Sequence, residues 1–167
     1  YTQAGYNATR TDVGQPVASF YGLVTEGLYQ TQAEIDADGR TNAVLGDLNF
    51  VDRDNDGDID DDDQTYLGSA IPDFEYSLAI NMDYKSFDLS LFIQGVEGNE
   101  LFNGKLYHHI FDGTRGIKIR EAGNAWTPQN TNTRVPRATT RDLALNQRTS
   151  DFLVEDGSYL RLKTVQL

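Results

Sequence analysis

Between Phe74 and Tyr84 the chain alternates without a break. Phe74, Tyr76, Leu78, Ile80, Met82 and Tyr84 are apolar, and Glu75, Ser77, Ala79, Asn81 and Asp83 stand between them. A period of two places the two sets on opposite faces of one strand. The next stretch repeats the pattern, with Phe87, Leu89, Leu91 and Ile93 interleaved with Asp88, Ser90, Phe92 and Gln94. Two such strands joined at Lys85-Ser86 predict a tight antiparallel hairpin over residues 74–95. Two environments fit this alternation. A soluble β-sandwich buries the apolar face against a second sheet, and an outer-membrane barrel turns it to lipid. Strands of about 10 to 12 residues suit a tilted membrane crossing, and the aromatic ends Phe74, Tyr84 and Phe87 suit an interfacial girdle.

Elsewhere the pattern is weaker. Residues 1–16 are polar and read as loop or incomplete strand. Ala18 to Tyr29 is aromatic and β-branched, with Gly22 and Gly27 interrupting, and reads as extended. Gln30 to Asp38 carries helix formers closed by Gly39, which predicts a short helix. Thr41 to Phe50 reads as extended. Beyond Gly95 the alternation dissolves into a long loop over residues 96–150, aromatic and weakly helical from Asn99 to Phe111, then rich in Gly, Asn, Thr and Pro. Loops this long are functional or disordered. Order returns at Phe152-Leu153-Val154, breaks at Asp156-Gly157 and resumes as a strand from Ser158 to Leu167. No apolar run approaches the roughly 18 residues of a membrane helix, so any membrane role falls to strands. Tyr1 is not a natural start and the last strand stops without a turn, so the sequence reads as a piece of something longer.

The densest chemistry is the run from Asp52 to Asp63, which holds eight Asp against one Arg. At an effective dielectric of about 20, two like charges ~4 Å apart cost roughly 4 kcal/mol, so the run needs a cation or full solvation. Its spacing follows a calcium loop. Asp52, Asp54 and Asp56 fall on the first, third and fifth positions, Gly57 on the turn, and Asp58 on the position that ligates through its backbone carbonyl. Asp60 falls on the water-bridged position and Asp63 on the last. Gly57 supplies the positive φ that reverses the chain, and Ile59 is an apolar anchor for the loop. The last ligand is Asp63 where an EF-hand has Glu, which shortens bidentate reach and sets the affinity toward the weak, extracellular end. The flanking helices of an EF-hand are missing. The competing reading is a solvated acidic loop.

Composition adds limits. Of the net charge of −12, the acidic run carries −7, so the acidity is local and no basic stripe for nucleic acid exists. The absence of cysteine excludes disulfide scaffolds and thiolate metal sites. Nine Tyr and eight Phe can furnish a core in 167 residues. His108 and His109 are adjacent and point apart, so packing outweighs metal ligation. Trp126 and Tyr107 are candidate stacking residues for a sugar ring, against the plainer role of pinning their own loop. Glu75, Asp83 and Asp88 could pass for a carboxylate pair, yet nothing places a nucleophile or raises a pKa, and no catalytic signature is present. The chain reads as non-enzymatic.

Several blocks in order carry a family likeness: Ser19-Phe20-Tyr21-Gly22 with Glu26-Gly27; Gly46-Asp47-Leu48-Asn49-Phe50 before the acidic loop; Leu67-Gly68-Ser69-Ala70-Ile71-Pro72-Asp73-Phe74 after it. The hairpin ending Phe92-Ile93-Gln94-Gly95-Val96-Glu97-Gly98-Asn99 follows, then Ala125-Trp126-Thr127-Pro128-Gln129-Asn130, Val135-Pro136-Arg137, and Val154 to Lys163. This succession resembles the C-terminal part of SusC/RagA-family TonB-dependent outer-membrane transporters. The resemblance implies an all-β segment of an outer-membrane barrel with long extracellular loops. It implies import of glycans or peptides with a SusD-like surface lipoprotein as lid and energy from the TonB system. In that frame the Lys85-Ser86 turn is periplasmic, and the calcium loop, with a structural Ca2+, and residues 96–150 are extracellular. The alternative is a soluble calcium-stabilised β-sandwich that binds carbohydrate or a cell-surface partner. A hydrolase ranks behind both.

Overall fold

The computed structural model describes residues 2–3, 6–111, 123–139 and 146–167. Its dominant element is the expected hairpin. Strand β8 (Phe74–Tyr84) pairs with β9 (Phe87–Glu97) in an unbroken antiparallel register from Phe74↔Glu97 to Tyr84↔Phe87. The hairpin thus runs two residues past Gln94-Gly95, because Val96 and Glu97 still find partners on β8. Lys85 closes the turn at φ 59, the positive φ that two-residue hairpin turns require. Strand β12 (Tyr159–Gln166) adds to the other side of β9 with a bulge between Leu162 and Thr164, giving the order β12-β9-β8.

Register decides which side chains share a face. Leu78 lies opposite Ile93, Ile80 opposite Leu91 and Met82 opposite Leu89, while Leu162 meets Ile93 from β12. One face of the sheet is therefore continuously apolar, and the other carries Ser77 opposite Gln94, Asn81 opposite Ser90 and Arg161 opposite Gln94. A sandwich would bury the apolar face, yet Phe74, Leu78 and Met82 are 56%, 54% and 51% exposed. Such a face calls for an apolar cover, protein or lipid. Eleven residues per strand, at about 3.4 Å each, reach roughly 37 Å, enough to cross a hydrocarbon layer at a tilt. Gly95 has a packing reason: a Cβ there would stand 2.1 Å from the Tyr76 ring, which lies across the glycine.

The remaining elements form a cap of short pieces beyond the hairpin's open end. Strands β1 (Thr2–Gln3) and β2 (Tyr6–Asn7) pair with each other, and β3 (Thr9–Arg10), β4 (Ser19–Gly22) and β7 (Thr65–Gly68) form a sheet with β4 in the middle. Strand β5 (Thr25–Leu28) pairs with β6 (Leu48–Phe50). The extended stretch expected over residues 18–29 is thus two strands. The break falls at Leu23, whose N–H and C=O bond Thr149 and Asp151 instead of a neighbouring strand. Helix α1 (Gln32–Ala37) forms where expected, because Thr31 caps the Glu34 N–H and the Glu34 carboxylate returns to the Thr31 N–H. Of Thr41 to Phe50 only β6 is a strand; the Asp47 N–H donates to the Val44 carbonyl and the Val44 N–H to the Asp47 carboxylate, in a turn that Gly46 completes at φ 84.

Residues 96–150 are not one structureless loop. They contain β10 (Glu100–Phe102), which pairs with β11 (Val154–Asp156), and helix α2 (Gly104–Ile110), capped by Asn103. A 3-10 turn, Asp151–Leu153, leads into β11. The core lies under these pieces and not in the hairpin: Leu23, Leu28, Leu48, Phe50, Ile110, Trp126, Phe152 and Leu153 form one buried cluster. No described helix is long and apolar enough to cross a membrane.

Candidate functional site

The acidic loop joins β6 to β7 and is shaped by its own carboxylates. Asp52 accepts the N–H groups of Asn55 and Gly57, Asp54 that of Asp56, and Asp63 those of Arg53 at 2.6 Å and Asp60 at 2.9 Å. Asn55 and Gly57 both hold positive φ, at 60 and 93, and so wind the loop tightly enough for alternate side chains to converge. Asp52, Asp54 and Asp63 each offer an oxygen within 4.8 Å of the others. Asp63 is only 1% exposed and sits at the root of the loop.

The six sequence-predicted ligands therefore do not act alike. The structure gathers Asp52, Asp54 and Asp63. Asp56 and Asp60 turn their Oδ1 atoms to the Asp58 and Asp62 N–H groups. That is the arrangement of carboxylates that neutralise backbone dipoles. Asp58 holds the position that ligates through its backbone carbonyl, and its side chain is exposed. Desolvation pushes Asp54 above the ordinary carboxylate value, and the neighbouring Asp56, Asp63 and Asp52 charges push the same way, against the lowering effect of its bond from the Asp56 N–H. A carboxyl crowded by carboxylates is the electrostatic signature of a place that favours a cation.

Two contacts anchor the loop to the cap. Ile59 packs against the core cluster, as expected from its place in the loop. Arg148, which sequence reasoning did not single out, donates to the Ile59 carbonyl at 2.9 Å and to Asp61 Oδ1 at 2.7 Å. Arg148 is 87 residues from Asp61, so no local pattern could signal it. A second missed group is Asp47, fully buried, which accepts from Arg137 Nε at 2.7 Å, from Asn146 Nδ2 at 3.0 Å and from the Val44 N–H. Asn146 also accepts the Leu48 N–H at 2.7 Å. This knot ties three distant segments together at the base of β6.

Trp126 and Tyr107 are placed as packing residues. Trp126 is 7% exposed, its ring lies on Gly46, and its indole N–H donates to Gln30 at 3.0 Å. Tyr107 stands edge-on to His108 and Phe111 and against the core. His108 and His109 end α2. Asp83 and Asp88 face each other directly across the hairpin turn, a like-charge pair.

Two hollows flank this region and share Glu26 as a wall. One, of about 400 Å³, lies between α1 and the acidic loop and is lined also by Asp38, Arg40, Asn49 and Asp52. The other, of about 510 Å³, lies between β5 and the turn at residues 131–134.

Comparison with known proteins decides the kind of molecule. No family model matches the chain. It is 38% identical over 164 residues to TonB-dependent receptor P26 of Formosa agariphila, covering 98% of this chain and 16% of that protein. It is 34% identical to TonB-dependent receptor P3 of the same organism, over 91% of this chain and 15% of that one. The chain belongs with the TonB-dependent receptors. It spans about a sixth of the length of those relatives. In fold it matches the RagAB peptide importer in its closed-closed state, with a TM-score of 0.61 at 22% identity, over 99% of this chain and 17% of that one. That match shows a likeness of fold, and a TonB-dependent receptor accounts for a sheet whose apolar face stays exposed within this chain.

Proposed function

We propose that this chain is barrel wall and outer loops of a TonB-dependent outer-membrane importer that takes up glycans or peptides together with a SusD-like surface lipoprotein. The observation that carries the reading is sequence identity to TonB-dependent receptors along nearly the whole chain. The exposed apolar face of β8, β9 and β12 supports it, since lipid is the solvent that face requires. The tight Lys85-Ser86 turn is then periplasmic, and the cap with its acidic loop and hollows is extracellular. The test is uptake by cells carrying the full-length protein. Substrate import should vanish on deletion of TonB and on deletion of the partner lipoprotein, and the protein should fractionate with the outer membrane. TonB-independent uptake would sink the reading.

The acidic loop, on this proposal, holds one structural Ca2+. Asp52, Asp54 and Asp63 supply the converging carboxylates, the Asp58 carbonyl and an Asp60-bridged water complete the set, and Asp56 joins by releasing the Asp58 N–H. The donor chemistry fits a hard cation that takes six to eight oxygens. With a dissociation constant of about 0.1 to 1 mM in millimolar calcium, the ion contributes roughly 0.4 to 1.4 kcal/mol. That is enough to order a loop and too little to drive a switch.

A further inference from the structure

The 510 Å³ hollow holds a pair of charges that the protein itself does not use. Three charged side chains line it: Glu26, Arg134 and Asp151. Asp151 is tied to its neighbour, its Oδ1 accepting the Thr25 N–H at 3.0 Å and the Thr25 hydroxyl at 2.8 Å. Glu26 makes no hydrogen bond or ion pair with a described residue. Arg134 is held by its guanidinium lying 5.5 Å from the centroid of the Phe152 ring, a contact that fixes the plane and leaves its N–H donors unspent among the described residues. Opposite charges that share a hollow without pairing leave room for a group that satisfies both.

We propose that this hollow is a binding site for a compact zwitterionic ligand of the amino-acid and short-peptide class, whose ammonium meets Glu26 and whose carboxylate meets Arg134. Arg134 presents the planar fork that carboxylates engage with two parallel hydrogen bonds, and Glu26 is an acceptor suited to an ammonium. The floor is apolar, from Leu28, Leu48 and Phe152, and gives a short aliphatic stem a dry surface between the two charged ends. Trp126 braces one wall by holding Gln30 in place. A neutral saccharide would leave both charges unanswered. The inference deepens the importer reading, on which it rests for the ligand's route into the cell; the hollow itself is read from this chain alone.

The test is calorimetry on the full-length receptor in detergent, with alanine and its dimer, trimer and tetramer as probes, and a neutral trisaccharide beside them. At least one member of the alanine series should bind. Its N-acetylated and C-amidated forms should bind about tenfold or more weakly. Glu26→Gln should weaken the free peptide by a similar factor and leave the N-acetylated form unchanged, and Arg134→Gln should do the same with respect to the C-amidated form. Blocked forms that bind as tightly as the free peptide would overturn the site without any variant. So would a trisaccharide that binds while the whole alanine series does not. Zwitterion binding without TonB-dependent uptake would leave this site standing and remove the importer reading; TonB-dependent uptake without such binding would do the reverse.

Discussion

Asp63 shows how much one side chain can decide. Both its oxygens are engaged by backbone N–H groups from opposite arms of the loop, and it lies within reach of Asp52 and Asp54. Asp63→Asn keeps the shape but halves the acceptor capacity and removes the charge. Calcium binding measured by calorimetry should weaken about tenfold or more, and the loop should be cut faster in limited proteolysis while the hairpin is unaffected. Asp54 adds a pH dependence. Its pKa in the folded loop is raised above the ordinary 3.8, so the folded form holds its proton more tightly than the unfolded chain. The stability this gives the metal-free loop is full below 3.8 and is lost as pH rises through the raised value. Calcium binds only the ionised carboxylate, so its affinity should climb over that same window, and a calorimetric pH series reads both trends. Tyr29 behaves likewise at the alkaline end. Burial, then its bond to Asp38 at 2.9 Å, raise its pKa above 10.0, so stability should fall as pH rises beyond 10.0, and Tyr29→Phe should flatten that decline.

At the scale of elements, the hairpin was legible and the cap much less so. An unbroken period of two over 74–84 and 87–93 leaves a single register, because a slip of one residue would mix the faces. Helix α1 was legible from its capping residues. What the pattern could not reveal were the ties between distant segments, such as Asp47 with Arg137 and Asn146, because a buried ion pair has no periodicity. That knot predicts a large effect. Asp47→Ala would take the carboxylate from the Arg137 guanidinium and an acceptor from Asn146, and the cap should lose about 2 to 4 kcal/mol, seen as cap amides exchanging faster while hairpin amides do not. The turn at Lys85 predicts the opposite sign. A non-glycine residue at φ 59 carries strain, and Lys85→Gly should stabilise the hairpin by up to about 1 kcal/mol, read from its exchange rates.

For the whole molecule, the division is between a sheet with an exposed apolar face and a cap with its own buried core. Of the candidate metal site, the convergence of Asp52, Asp54 and Asp63 was legible, because spacing within twelve residues is local; the turning of Asp56 and Asp60 to backbone N–H groups was not, nor was the Arg148 anchor, and neither were the hollows, whose walls come from parts of the chain up to 127 residues apart. Trp126 illustrates the limit. An aromatic in a polar loop has the same sequence signature whether it stacks on a ligand or on Gly46, and only the assembled fold puts its ring on the glycine. The same division predicts solution behaviour: the full-length protein should need detergent, and chelation should loosen the acidic loop without releasing the sheet.

The ties of the cap also fix an order of events. Thr25 is joined to Asp151 across 126 residues, Leu48 to Asn146 across 98 and Asp61 to Arg148 across 87. Each closes a long excursion of chain, which is slow to search and yields nothing until it is complete. The hairpin needs only its own two-residue turn. The β8–β9 hairpin can therefore pair early, while the loops before it stay open until the segment around Asn146 to Leu153 has been made and returns to them. The acidic loop is thus closed late, by residues that follow it by almost ninety positions.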